Sequence, residues 1–453
     1  MNNPNERSSS ESSTSYASDE KYATNGGIIE GIWIFHRHGD RTPSSPLVAE
    51  HLIESDAAFW QTKLPDTSVV EAVAHRFPKQ IYSSSSEKYL DGKREPYGFL
   101  TRVGTSQMYN AGRRFFLRYN RLGKKRNLAS GEIEPNNLLN HWDVTAYSTN
   151  YLRTITSAQF FLEGLLHSEA QPSASTQSRS TIPINVRSRD IDTLNAFDKN
   201  PEKMLSLVSE VVATPGFQAR DALALPLATL LTDFLPGLMT GKKTFFGGPS
   251  GINWIHATDH FVCREAHGVK LTTIEGDKNV SLKYDPRLEE SMQALAHSTK
   301  THLAWRFQQW FSHSSLLSAI AVPPLREVEQ ELKETPHLPS NVKRPLKIFS
   351  CHDVTILSLL YGVGASTVTD DERYWPPYAT TLAFELVRKM ETDEFVVRVL
   401  LNGKPVEIKK SKRKLIPIDE FSEIVDNLQI KGGIDDEFID TDAMERDMAG
   451  WTG

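Results

Sequence analysis

The chain has 453 residues, 39% of them hydrophobic and 24% charged, with ordinary Gly and Pro content, which excludes a collagen-like, disulfide-scaffold or wholly disordered protein. Its length suits either about three domain-sized units or one large α/β core carrying insertions. A net charge of −6 argues against wholesale binding to nucleic acid or anionic membrane, but leaves room for a small anionic ligand held by a local cluster of Arg.

Residues 1–26 are Ser-rich and mixed in charge, with no apolar core of the kind a secretory leader needs, and read as a disordered tail. No apolar stretch reaches the ~18 to 20 residues of a membrane span, so no integral membrane association is expected. With only Cys263 and Cys351, the chain is expected in a reducing, cytoplasmic setting, although one bridge remains conceivable. Asn279-Val280-Ser281 fits the glycosylation acceptor pattern and is read as a chance tripeptide.

Gly27 to Phe35 is a short apolar, β-branched and aromatic run that predicts a buried strand, and it delivers the chain into the loop Arg37-His38-Gly39-Asp40-Arg41-Thr42-Pro43. Thr101 to Tyr119 places Met108, Gly112, Phe115 and Tyr119 on one face of a helix behind a capping Thr. Trp142 to Ser148 predicts a second strand, and the helical spacing from Thr149 onward puts Arg153 in the first turn of the helix that follows. After a Ser/Thr-rich loop at 168–181, Ile182 to Val186 is a third candidate strand.

Residues 190–340 carry helix and loop signals, including a long amphipathic helix through Met292 to Phe311, and predict a helical cap. Leu346 to Ser350 predicts another buried strand, followed by Cys351-His352-Asp353 and a helix ending in Gly. Thr380 to Val387 and Phe395 to Leu401 read as a hairpin, and the basic run 409–414 as a solvated loop. The resulting expectation is an α/β fold with a mainly parallel sheet flanked by helices. Its core comprises 27–189, with an insertion at 44–98, and 341–430; the cap is 190–340, and 431–453 is a C-terminal tail. In such sheets ligands bind beyond the carboxyl ends of the strands, where 37–43, 149–153 and 352–353 all fall.

The loop at 37–43 flanks an imidazole with two guanidiniums, fixed charges in a fork geometry that suits phosphate or carboxylate. Like charge disfavours the imidazolium, keeping His38 neutral and available as nucleophile or base, while Gly39 permits close backbone approach. Asp40 is assigned no catalytic step and is expected to orient an arginine or face solvent. Cys351 is expected to be a small buried residue.

Arg37-His38-Gly39-Asp40-Arg41-Thr42-Pro43 resembles the RHGxRxP signature of the histidine acid phosphatases, within the phosphoglycerate-mutase-like superfamily. Leu100 to Tyr119, Tyr147 to Ala158, Cys351-His352-Asp353 and Trp375 to Ala379 with the following hairpin resemble further family segments, so the likeness spans 31 to about 425. It implies that His38 attacks phosphorus to form a phosphohistidine and that Asp353 protonates the leaving alcohol, giving an acidic optimum. Arg37, Arg41, Arg153 and His352 would bind the non-bridging oxygens, with no metal and no cofactor. The implied substrate is a small phosphate ester, a lysophospholipid or inositol phosphate among the choices, and Trp254 to Gly268 resembles a helical segment of the lysophosphatidic acid phosphatase-like branch. A mutase or phosphotransferase sharing the intermediate, and a non-catalytic phosphate binder, are the alternatives.

Overall fold

A computed structural model describes residues 27–82, 95–126, 138–166, 181–239, 247–271, 286–371 and 374–433. The tails at 1–26 and 434–453, most of the Ser/Thr-rich loop and Asn279 lie outside them.

The centre is one nine-stranded sheet: β1 (Gly27–Arg37), β2 (Lys79–Tyr82), β3 (Trp142–Ser148), β4 (Ile184–Arg187), β5 (Arg344–Cys351), β6 (Thr381–Lys389), β7 (Phe395–Leu401), β8 (Lys404–Pro405) and β9 (Ile416–Pro417). Its order is β2-β4-β3-β5-β1-β6-β7-β8, with β9 also pairing β7. The strands from β2 to β1 run parallel, whereas β6, β7, β8 and β9 form an antiparallel flank.

Alternation along β1 divides the apolar residues between two faces. Ile32 and Ile34 pack with Ile348, Ala146 and Ile184 beneath helices α1 (Arg102–Arg126) and α2 (Leu152–Leu165), burying one face. These two helices cross at Gly112 and Gly164, where an added Cβ would strike the partner backbone at Phe161 O and Tyr109 O. Trp33, Phe35 and Phe349 face the opposite way, into a core shared with the helices between 196 and 334. Among these are α3 (Trp254–Ala266), α4 (Pro286–Ser312) and α5 (Ser314–Glu334). Helix α6 (Asp353–Gly362) continues from β5, and α7 (Ile418–Gly432) packs on α5.

Register positions the site. Arg37 pairs with Cys351 at the carboxyl ends of β1 and β5, and Ser148 pairs with Ser350 at those of β3 and β5. The residues that leave these three adjacent strands, beginning with His38, Thr149 and His352, therefore emerge side by side.

Candidate active site

The loop after β1 is held at almost every step. His38 N donates to Cys351 O (3.1 Å), Gly39 N to Ser157 Oγ (3.1 Å), Asp40 N to Gln107 Oε1 (2.8 Å) and Thr42 N to Phe99 O (2.9 Å). Gly39 lies against Gly104 of α1 so closely that a Cβ on either would collide with the other segment's backbone. The close approach expected of Gly39 is thus to a neighbouring helix.

His38 is buried, its Nδ1 lies 2.8 Å from Gly39 O, and its ring meets that of His352 edge-on at 5.7 Å. A ring that donates from Nδ1 to a carbonyl presents Nε2 as the basic, nucleophilic nitrogen. Burial, and then the guanidiniums of Arg153, Arg37 and Arg41, hold its pKa well below the usual imidazole value. His352 is depressed in the same way by burial, Arg153, Arg41 and Arg37, and its Nε2 lies 3.2 Å from Thr149 Oγ1. Both imidazoles are neutral near pH 7, as the sequence pattern predicts for His38.

Arg37 stands over the Tyr378 ring at 4.3 Å, donates from Nη1 to Pro376 O (2.6 Å) and places Nη2 2.8 Å from Asp353 Oδ2. Arg153, in the first turn of α2, lies 4.3 Å above the ring of Tyr151, and that ring also meets His352 edge-on at 5.0 Å. Asp353 opens α6, with its Oδ1 accepting from Val354 N at 2.9 Å. All six predicted site residues, Arg37, His38, Arg41, Arg153, His352 and Asp353, therefore surround one focus at the carboxyl ends of β1, β3 and β5. Three guanidiniums around a neutral imidazole suit an anion with several oxygens, and a carboxyl on their rim suits proton transfer.

The branch 2 profile of the histidine phosphatase superfamily matches residues 28–209 and 288–402, well over half of the chain. The chain belongs to the histidine phosphatase superfamily. As a histidine phosphatase it is a phosphomonoesterase, of a family that works through phosphohistidine. Lysophosphatidic acid phosphatase type 6 of Mus musculus is 24% identical over 404 residues, covering 87% of this chain and 83% of the relative. The Homo sapiens protein of that name is 23% identical over 404 residues, covering 87% and 82%. Among solved structures, a Bifidobacterium longum multiple inositol polyphosphate phosphatase in complex with phosphate shares the fold, with a TM-score of 0.53 and 13% identity over 90% of this chain and 94% of that one.

The structure corrects one expectation about this phosphatase. Asp40 neither faces solvent nor orients an arginine: it is fully buried, and its Oδ2 accepts from Thr101 Oγ1 and lies 2.7 Å from His267 Nε2. A buried carboxylate needs partners, and the start of α1 and the end of α3 supply them. Cys263 and Cys351 form no bridge, and both are buried free thiols.

Sequence reasoning missed the residues that support the first set. Tyr378 and Tyr151 are the aromatic platforms of Arg37 and Arg153, and Asp198 accepts from Tyr151 OH at 2.6 Å. Asp259 on α3 takes Arg41 bidentately, with Oδ2 2.8 Å from Nη1 and Oδ1 2.8 Å from Nη2. The signal for Asp259 was an acid, His260 and Arg264 set among Ala257, Phe261 and Cys263, polar groups on a buried helix that demand partners.

Proposed function

We propose that this phosphatase hydrolyses a small phosphate monoester without a metal, with His38 as nucleophile and Asp353 as proton donor. The observation that carries this reading is the register of β1, β3 and β5, which sets a neutral His38 among Arg37, Arg41 and Arg153 with Asp353 at the rim. His38 attacks phosphorus as the alcohol leaves with a proton from Asp353, and water, deprotonated by the same carboxylate, then releases phosphate. The guanidiniums and His352 stabilise the charge on the three non-bridging oxygens throughout, the task that a metal performs in other phosphoryl-transfer sites.

For the ester we favour a lysophospholipid monophosphate. The curated relatives aligned over 404 residues carry that activity in their names, whereas likeness to the inositol polyphosphate enzyme rests on fold at 13% identity. The same reading takes a cytoplasmic setting, in which Cys263 and Cys351 stay free thiols, and no nucleic-acid partner. No helix among the described residues is long and apolar enough to cross a membrane.

The test is phosphate release by the purified chain at about pH 5, with and without chelator, from lysophosphatidic acid, inositol hexakisphosphate, sugar phosphates and p-nitrophenyl phosphate. Chelator-resistant release led by lysophosphatidic acid is expected, with an alkali-stable, acid-labile phosphoenzyme that His38→Ala abolishes. Near-wild-type turnover by His38→Ala would overturn the assignment, and phosphate transfer to an added alcohol in place of water would make the chain a transferase.

A further inference from the structure

Helix α3 lies in the segment expected to form the cap, yet one of its faces runs along the phosphate loop. Asp259, Cys263 and His267 follow one another at single-turn intervals: Asp259 meets Arg41, Cys263 Sγ lies 3.5 Å from Tyr378 OH, and His267 Nε2 lies 2.7 Å from Asp40 Oδ2. The turn between Arg41 and Ser44 is tied to the same carboxylate, because Asp259 Oδ2 also accepts from Ser44 N (2.8 Å) and Ser44 Oγ (3.0 Å).

We propose that Asp259 is a positioning residue, which grips Arg41 by the end of its guanidinium and so turns the side-on face of that group toward the substrate phosphate. The inference rests on the reading of Arg41 as a phosphate ligand. A guanidinium has five N–H donors in one plane, and the contacts of Arg41 account for them unequally. Nη1 is taken by Thr42 O (2.9 Å) and Asp259 Oδ2, while Nη2 gives one proton to Asp259 Oδ1. Nε is buried with no hydrogen-bond partner among the described residues. What remains is Nε–H and the second proton of Nη2, the parallel pair that matches two oxygens of a phosphate. Arg41 acts electrostatically on both His38 and His352, which puts its guanidinium beside the same focus.

Asp259 has two opposed effects on phosphate. It fixes the plane of Arg41, which strengthens binding, and it places a negative charge beside the cation, which weakens it. Positioning predicts that removing the carboxylate loosens phosphate; a purely electrostatic role predicts that it tightens phosphate.

The experiment compares the full chain with Asp259→Asn and Asp56→Asn by calorimetric titration of inorganic phosphate, kcat and KM on p-nitrophenyl phosphate, and Tm. Asp56, on the helix Ile53–Gln61, is the control, since its partner on α3 is Arg264 (2.8 Å) and not the phosphate loop's arginine. Both variants are expected to lose Tm. Only Asp259→Asn is expected to weaken phosphate, by about tenfold or more, as displaced binding groups do. Unchanged or tighter phosphate binding in Asp259→Asn would overturn the proposal. Should that variant not fold, Arg41→Lys decides, because an ammonium cannot be held end-on: a similar loss is expected, and near-wild-type phosphate affinity would overturn it. A wild-type chain that binds phosphate but turns over no ester counts against the hydrolase reading alone.

Discussion

Arg37 Nη2 and Asp353 Oδ2 are 2.8 Å apart, so the guanidinium expected on the substrate phosphate also holds the carboxyl expected to protonate the leaving group. Proton donor and phosphate ligand are thus set by one contact, which places the carboxyl beside the ester oxygen when Arg37 is on phosphate. Removing the donor matters most for a leaving group that needs its proton. Asp353→Asn is expected to lower kcat/KM, which reports the step that releases the alcohol and not the later hydrolysis of the phosphoenzyme, by about 10²- to 10⁴-fold on an alkyl phosphate and far less on p-nitrophenyl phosphate, whose leaving group departs unprotonated. Equal losses on the two esters would remove Asp353 from the donor role.

The phosphate loop depends on a contact with no side chains in it. Gly39 rests on Gly104 at the start of α1, and an added Cβ at Gly104 would collide with Asp40 O. Gly104→Ala must therefore displace the loop that carries His38 and Arg41. A stability loss of about 1–3 kcal/mol is expected from overpacking, with a fall in kcat/KM of about 10- to 100-fold because reacting groups move off their geometry. The comparison that decides is with Gly216→Ala, where a Cβ meets nothing within 4 Å and both quantities should hold.

Most of the sheet was legible because its central strands carry short apolar and aromatic runs bounded by polar clusters. β3 runs Trp142–Ser148 as the pattern predicts, and β1 and β5 exceed their predicted bounds by only two residues at an end, Arg37 among them. The Arg/His loop and the His-Asp pair were legible because their chemistry is dense in a few consecutive residues. β2 was not: Lys-Gln-Ile-Tyr is a four-residue edge strand with Lys79 and Gln80 exposed, too short and polar to show a period. α5 was legible only as part of a helical region; it runs through Pro323-Pro324, and both prolines are buried. Asp259 was hidden for another reason. Its partner is 218 residues away, and only the folded chain brings α3 onto the loop.

Two buried groups oppose each other across the acidic range. His36 stacks on Phe161 with its Nδ1 3.2 Å from Arg37 O, and burial pushes its pKa from 6.5 to about 4. Asp192 accepts from Leu194 N, and burial raises its pKa from 3.8 to about 6. Between pH 4 and 6.5 the unfolded chain protonates His36 while the folded chain does not, so this group costs stability as pH falls, on the order of 3 kcal/mol by pH 4. Asp192 acts the other way: the folded chain keeps its proton longer, and stability is lost as pH rises through about 6, by a similar amount. The wild type should accordingly change little over this window. Asp192→Asn is expected to raise Tm at pH 7 and not at pH 4, and His36→Gln to remove a loss seen only below pH 6.5; Tm against pH for the three proteins checks both signs.

Tyr151 separates platform from tether. Its ring carries Arg153 at 4.3 Å and meets His352 edge-on at 5.0 Å, while its hydroxyl donates to Asp198 at 2.6 Å. If the ring orients Arg153, Tyr151→Phe keeps the working part and loses only the tether, so kcat/KM should fall by no more than about threefold. Tyr151→Leu removes the π face, and with a cation–π contact contributing about 0.5–2 kcal/mol, kcat/KM should fall by about 2- to 30-fold. The loss should also appear as weaker inhibition by inorganic phosphate, because Arg153 would bind phosphate in ground and transition states alike. A Phe variant as impaired as the Leu variant would instead place the function in the Asp198 hydrogen bond, which runs into the segment that follows β4.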